Sequence, residues 1–322
     1  TIPLSIDNPK LWTTWDLGDQ NLYRVEVSMR DSSGFQDRER QSFAIRKLEM
    51  SMNPGWSPEQ VEYPWTVMLN GRRHYMRSAC WGGPPDMFTG RATEAMYREY
   101  IRLAKEANIN NLRIFCWHPP EIPLFYRLCD EAGITVWQDF SLSHYLYPRN
   151  RETIEKIFDE SIDVVKQIRN NPSVVFLSGG EEILYTKSDD DSDFFLQLIT
   201  ELERAVAPYH AVQWVPTCPL SWPNVQRVFK PRESIHAHGP HYGAGFMMLE
   251  DYYSKLEYAF IPELAITSCP SVESIRKFIP EDEVWPPGPG WGYHWADLDI
   301  LRIHNYEVFG DQCTDGFERF VD

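Results

Sequence analysis

The chain has 322 residues, of which 43% are hydrophobic, 14% are aromatic and 24% are charged. This composition excludes a disordered tail, a collagen-like rod and a low-complexity linker, and the length allows one large domain with a smaller companion. The formal net charge of −16 and the lack of a Lys/Arg-rich run argue against nucleic acids and anionic membranes as partners.

Residues 1–47 have the pattern of β-strands. The run YRVEVSMRDSSG (23–34) alternates apolar and polar residues up to a turn, and RQSFAIRKLEM (40–50) is a second extended run. So few strands cannot close a sandwich, and an open sheet edge needs a partner. Because the sequence also starts at Thr1 without a Met or a visible signal peptide, we expect a fragment or a processed chain. Its first strands would be completed by missing domains of a longer parent chain or by a second copy.

From about residue 62, short apolar runs alternate with amphipathic helical segments. The predicted strands are RHYMRSAC (73–80), NNLRIFCW (110–117), ITVWQDF (134–140), SVVFLS (173–178), AVQWVP (211–216), SIHAH (234–238) and YAFIPELA (258–265). The predicted helices cover residues 93–107, 120–133, 152–170, 193–206 and 271–279. Strands that are each followed by a helix indicate an α/β fold with a parallel sheet. Seven such units predict a (β/α)8 TIM barrel over residues 51–322 that lacks its last unit.

Polar residues at the carboxyl ends of barrel strands are the candidates for an active site. Glu181 and Glu182 follow the fourth predicted strand, and Glu263 follows the seventh. A pair of carboxylates across a barrel mouth is what glycoside hydrolysis requires, whereas solvated or Arg-paired glutamates are the alternative. In an extended chain only one of the two adjacent glutamates would face the barrel axis.

The sequence around these carboxylates resembles glycoside hydrolase family 2. The stretch NPSVVFLSGGEE (171–182) is similar to the acid/base motif of that family and aligns Glu182 with the acid/base residue. The stretch FIPELAITSCPSVESIRKFIP (260–280) is similar to its nucleophile segment and aligns Glu263 with the nucleophile. The β-mannosidase-like branch is resembled most, in WTVMLNGRRHYMRSACW, LAKEANINNLRIF and FYRLCDEAGITVWQDF. Residues 1–50 resemble the end of the immunoglobulin-like β-sandwich domain that precedes the barrel in this family.

The resemblance implies a retaining, exo-acting β-glycosidase that needs no cofactor and acts on the non-reducing end of an oligosaccharide or glycoside. Glu263 would attack the anomeric carbon, and Glu182 would act first as acid and then as base. It also implies a secreted or periplasmic location. Substrate-binding roles follow for residues on the same rim, namely Arg113, Trp117, His118, Asp139, Glu181, His241 and Tyr242.

Departures from the family pattern leave the specificity open. The Asn that precedes the acid/base residue is replaced by Glu181, a Trp-Gly-Gly by Cys116-Trp117-His118, and a Trp by Leu177. Other family 2 specificities, such as exo-β-glucosaminidase or β-galactosidase, therefore compete with β-mannosidase. A non-catalytic carbohydrate-binding relative is an alternative of a different class.

Other features have two interpretations each. Four histidines near carboxylates could bind zinc: His118, His236, His238 and His241. Sugar binding is the simpler role for His118 and His241, and because His236 and His238 alternate on a strand, one of them is expected to face the barrel wall. The acidic run SDDDSD (188–193) indicates a helix start rather than a calcium loop, and GPGWG (288–292) indicates a loop. The six scattered cysteines are expected to be buried free thiols rather than disulfides or metal ligands.

Overall fold

A computed structural model of the protein describes residues 3–61, 64–86, 88–143, 145, 147–183, 188–220, 258–263, 270–286 and 288–293. The chain divides into two compact units, residues 1–233 and 234–322, and each is described by itself. Within the described parts, no helix is long and apolar enough to span a membrane.

The first unit begins with an antiparallel hairpin of β1 (Tyr23–Arg30) and β2 (Gln36–Phe43). β1 lies within the predicted run 23–34, whereas the second predicted run, 40–50, is divided between the end of β2 and the next strand, which begins at Leu48. Tyr23 lies opposite Phe43, and the two rings stack with centroids 5.7 Å apart. Most side chains of both strands are exposed, including the apolar Val27 and Met29. The hairpin therefore contributes little to the core of the described chain.

A three-stranded antiparallel sheet follows, in the order β3 (Leu48–Ser51), β4 (Thr66–Leu69) and β5 (Arg72–His74). Asn70 and Gly71 join the last two strands, and both have positive φ angles (52° and 75°), as a tight hairpin turn requires. The predicted boundary at residue 50 lies inside β3, and the division into residues 1–50 and 51–322 stays a prediction.

Five parallel strands form the main sheet, in the order β10-β9-β8-β7-β6. They are β6 (Ser78–Trp81), β7 (Asn111–Ile114), β8 (Thr135–Asp139), β9 (Val174–Ser178) and β10 (Gln213–Val215). The helices between them are α1 (Glu94–Glu106), α2 (Pro123–Ala132), α3 (Arg151–Ile168) and α4 (Asp189–Val206). This is the sequence of the first five predicted barrel units. The prediction of one strand over residues 73–80 was wrong, because that run is divided between β5 and β6, which belong to different sheets.

Capping residues set the ends of these helices as the sequence predicts. The Thr93 side chain accepts a hydrogen bond from the Met96 N–H at the start of α1, and Gly133 ends α2 with a φ of 71°. Ser188 accepts from the N–H of Asp191 in the first turn of α4. The acidic run is therefore a helix start, as expected.

The N-terminal segment of the first unit packs against the amino ends of the parallel strands. The fully buried Trp12 donates from its indole to the carbonyl of Asp130 at 2.9 Å, and Trp15 donates to the carbonyl of Ile109 at 3.0 Å. Arg46 donates to the carbonyls of Pro172 and Val174, each at 2.6 Å. This end of the sheet is opposite the end that carries Glu181 and Glu182.

The described part of the second unit contains three short helices, α5 (Val272–Ile275), α6 (Glu281–Val284) and α7 (Pro289–Tyr293). The helix predicted over residues 271–279 is thus much shorter than expected. The expectation of a loop at residues 288–292 was wrong, since α7 covers most of it. Trp291 anchors this helix by donating from its indole to the Glu283 carbonyl at 2.9 Å. The strand predicted at residues 234–238 lies outside the described residues.

Candidate active site

Side chains of the parallel sheet alternate between the helix-covered face and the interior face of the barrel. Trp81 of β6 packs on Tyr97 of α1 and Phe125 of α2, with ring centroids 6.3 and 4.8 Å away. Its neighbour Cys80 consequently points to the interior, where its register partner on β7 is Arg113. The interior face of β7 and β8 therefore carries the polar residues that the sequence suggests for the site.

Arg113 and Asp139 form an ion pair in this interior. The Nε and Nη2 atoms of Arg113 lie 3.0 and 2.7 Å from Oδ2 of Asp139, and the two side chains are 1% and 0% exposed. The guanidinium also lies over the rings of Phe115 and Trp137, at 5.2 and 5.4 Å from their centroids. Trp137 donates from its indole to Oδ1 of Asp139 at 2.8 Å. The Arg113–Asp139 contacts hold β7 and β8 together. The predicted role of both residues in substrate binding stays a prediction.

Burial is the main influence on the charge of Asp139. It raises the pKa of the carboxyl group, while the Arg113 charge and the hydrogen bonds from Arg113, Trp137 and Ser178 lower it, and the net shift is upward. Arg113 thus opposes the effect of burial on the pKa of Asp139.

The two adjacent glutamates follow β9 in a tightly fixed backbone. The Glu181 N–H donates to the Leu142 carbonyl at 2.9 Å, and the Glu182 N–H donates to the Cys218 carbonyl at 2.7 Å. Both side chains are buried. Glu182 has a φ of 49°, so the chain is not extended there, and simple alternation does not decide which carboxylate faces the barrel axis.

A glycine at position 180 is required by this backbone. Gly180 has a φ of 137°, and a Cβ atom added to it would lie 2.3 Å from the Leu142 carbonyl oxygen. The close approach of the chain segments that follow β8 and β9 thus depends on a residue without a side chain.

The charges of Asp139 and Glu181 both act on the Cys116 thiol. Burial raises the pKa of its thiol, and the negative charges of Asp139 and Glu181 raise it further. Glu181 therefore acts on the same interior region as Asp139. Ser143, which sequence reasoning missed, hydrogen-bonds the Cys116 side chain, and its Oγ accepts from the indole of Trp117 at 2.9 Å.

The remaining predicted site residues differ in how they are placed. Trp117 is 58% exposed, and His118 is partly buried against Gly83, where an added Cβ atom would lie 2.9 Å from Nδ1 of His118. Glu263 belongs to the second unit and is partly buried in the segment 258–263. His236, His238, His241 and Tyr242 lie outside the described residues.

The described residues allow the metal-binding and cysteine predictions to be examined. There, no group of three or more His, Cys, Asp or Glu side chains could hold a metal ion. Cys116 and Cys129 are buried free thiols. Cys80 is exposed, contrary to the expectation of burial, because it faces the barrel interior rather than the helices.

A buried carboxylate that the sequence did not reveal lies at the same rim. Oε1 of Glu121 accepts from the Trp81 indole at 2.8 Å, and Oε2 accepts from the Tyr97 hydroxyl at 2.7 Å. The Tyr126 hydroxyl accepts from the Glu121 N–H and donates to Oε1 of Gln138 at 2.6 Å. The sequence signal that could have indicated Glu121 is its position in the loop after the second predicted strand, directly after His118-Pro-Pro. This network fixes the loop after β7 against the helices.

Comparison with known proteins agrees with this fold. The family model "Glycosyl hydrolases family 2" matches residues 1–46, and "Glycosyl hydrolases family 2, TIM barrel domain" matches residues 66–215. The chain belongs to glycoside hydrolase family 2. The predicted fold class, a (β/α)8 TIM barrel preceded by part of a β-sandwich domain, is confirmed.

Several curated proteins that the chain resembles are β-mannosidases. The chain is 28% identical over 182 residues to β-mannosidase of Bos taurus and 30% identical over 182 residues to β-mannosidase B of Thermothelomyces thermophilus, in each case over 56% of this chain. These alignments span 20% and 21% of the two relatives, about a fifth of their length. The crystal structure of β-D-mannosidase from Dictyoglomus thermophilum matches with a TM-score of 0.76 and 26% identity, over 94% of this chain and 38% of the other.

Proposed function

We propose that the chain belongs to a retaining, exo-acting β-glycosidase that hydrolyses terminal β-linked sugars, most similar in specificity to the β-mannosidases. The observation that carries this proposal is the buried Glu182 at the carboxyl end of β9, aligned with the acid/base residue of the family. The similarity to β-mannosidases supports the choice of sugar. The substrate is the non-reducing end of an oligosaccharide or glycoside, and no cofactor takes part.

The reaction consists of two displacements at the anomeric carbon. In the first, the Glu263 carboxylate attacks this carbon while Glu182 protonates the glycosidic oxygen, so the alcohol leaves and a glycosyl ester forms. In the second, the Glu182 carboxylate takes a proton from water, which attacks the same carbon and releases Glu263. Retention by this route needs the two carboxyl groups about 5–5.5 Å apart.

The surroundings of Glu182 favour its role as an acid. Glu182 is buried, and the adjacent Glu181 supplies a second carboxylate. Arg113 and Asp139 contribute by fixing the interior wall of the barrel.

A second specificity is favoured by Glu181 itself. This buried carboxylate stands where the family has an Asn that binds the 2-hydroxyl group of the sugar. A carboxylate there suits a cationic 2-amino group, which would make the enzyme an exo-β-glucosaminidase. The two candidates differ only in the sugar that the same machinery accepts.

The test is a panel of 4-nitrophenyl β-glycosides hydrolysed by the full-length gene product. We expect turnover of the β-mannoside, whereas turnover of the β-glucosaminide alone would select the second candidate. Glu182→Ala should keep activity on leaving groups that need little protonation and should be rescued by azide. Glu181→Gln, the matched control, should change sugar preference without azide rescue. Sugar binding without turnover of any substrate would refute an enzymatic role.

A further inference from the structure

The indole of Trp117 is exposed but held in a fixed orientation. Its Nε1 donates to Oγ of Ser143 at 2.9 Å, and its ring lies 5.3 Å from that of Phe115 at an angle of 59°. Phe115 is in turn packed under the guanidinium of the buried Arg113. An exposed Trp that is anchored at one edge and supported by an ordered neighbour loses little conformational entropy when a ligand stacks on it.

Trp117 is connected to the glutamates by two hydrogen bonds across neighbouring residues. Ser143 accepts from the Trp117 indole, while the preceding residue, Leu142, accepts from the Glu181 N–H through its carbonyl oxygen at 2.9 Å. Glu182 is the next residue in the chain. The ring is thus positioned by the same segment, residues 142–143, that fixes the backbone of Glu181, the residue before the proposed acid/base residue.

The location of Trp117 distinguishes it from the residues that would hold the hydrolysed sugar. Arg113 and Asp139 are buried in the barrel interior, whereas Trp117 is 58% exposed on the loop that follows β7. A sugar whose anomeric carbon is inside the barrel extends its leaving group outwards, past the acid that protonates the glycosidic oxygen. Trp117 lies on the loop after β7, at the carboxyl end of the described sheet, which is the end that also carries Glu182.

We propose that Trp117 is the binding platform for the leaving group, and that a sugar ring in this position stacks on its indole. This inference rests on the proposed function and deepens it. A pyranose presents an apolar face of C–H groups, which stacks on a flat indole. Binding energy gained at this remote ring also contributes to the transition state, so its loss lowers kcat/KM.

The test compares two substrates that share the hydrolysed sugar. One is the β-1,4-linked disaccharide, and the other is the glycosyl fluoride, whose leaving group has no ring. For Trp117→Ala we expect a loss of about tenfold in kcat/KM on the disaccharide, equal to about 1.4 kcal/mol, and less than a twofold change on the fluoride. Trp117→Tyr should retain most of the activity, because it keeps an aromatic face.

Two further variants separate stacking from general damage. Ser143→Ala removes the anchor of the indole and should reduce disaccharide hydrolysis by a smaller factor, again without affecting the fluoride. Tyr75→Ala is the matched control, because Tyr75 is 64% exposed and precedes β6 at the opposite end of the sheet. It should leave both substrates unchanged.

The outcomes distinguish this inference from the function on which it rests. A wild-type protein that hydrolyses no β-glycoside refutes the proposed function and the leaving-group platform together. A wild-type protein active on both substrates, with Trp117→Ala reduced equally on both or on neither, refutes the platform alone.

Discussion

Replacing Arg113 should destabilise the protein strongly and in a pH-dependent manner. Arg113→Met leaves the Asp139 carboxylate buried with only the Trp137 indole and Ser178 as described hydrogen-bond partners. Breaking a buried ion pair by removing one partner costs about 3–5 kcal/mol of the free energy of unfolding. The measurement is urea-induced unfolding followed by fluorescence and circular dichroism.

The pH dependence identifies Asp139 as the cause. Burial already raises the pKa of this carboxyl group, and loss of Arg113 removes the charge that lowers it, so its pKa in the folded variant rises further. A carboxyl group whose pKa is higher in the folded than in the unfolded state binds protons more tightly when folded. The folded variant is therefore penalised at pH 8, and the deficit should shrink as the pH falls through the raised pKa towards about 4.

Two controls accompany this measurement. Asp139→Asn leaves a buried guanidinium that cannot lose its proton, so its deficit should not recover at low pH. Arg40→Met breaks an exposed pair, in which Arg40 and Glu26 are 2.6 Å apart with side chains 70% and 42% exposed, and should cost less than about 1 kcal/mol. Equal costs for Arg113→Met and Arg40→Met, or a deficit that grows on acidification, would refute the reasoning.

Three other perturbations test the fold around the site. Arg46→Met removes two hydrogen bonds to backbone carbonyls and should lower the free energy of unfolding in urea by about 2 kcal/mol. The control Lys47→Met, at an exposed neighbouring position, should lower it by less than about 0.5 kcal/mol. Burial lowers the pKa of His74 to about 4, so the folded protein should lose about 3 kcal/mol of its free energy of unfolding as the pH falls from 6.5 to 4. His74→Gln should lack this loss. Gly180→Ala should lower the melting temperature by several degrees through its clash with a carbonyl, whereas Gly90→Ala, which meets nothing within 4 Å, should not; equal melting temperatures would contradict the packing described.

Helices were predictable from the sequence because their signals are local. The apolar spacing in residues 93–107 and the stop at Gly133 define α1 and α2 to within a few residues. The division of residues 73–80 between two sheets was not predictable in this way, since alternation reports which side chains are buried and not which strand is the partner.

The candidate site was predictable as a set of positions and less so as a set of contacts. Residues after the apolar runs were predictable as neighbours at one end of the sheet, because parallel strands bring their carboxyl ends to one edge. The Arg113–Asp139 pair and the Trp117–Ser143 hydrogen bond depend on the register between elements far apart in sequence. The positive φ of Glu182 likewise results from backbone contacts with residues 142 and 218, which no local pattern encodes.

The central claim is that Glu263 and Glu182 carry out a retaining double displacement, and trapping the covalent intermediate tests it most directly. A 2-deoxy-2-fluoro glycosyl fluoride of the accepted sugar reacts with the nucleophile and then hydrolyses slowly, so the labelled peptide can be identified by mass spectrometry after proteolysis. The account predicts one label per chain, on Glu263, with the label also formed in Glu182→Ala. A label on Glu181 or Glu182, or turnover with inverted product and no label, would contradict it.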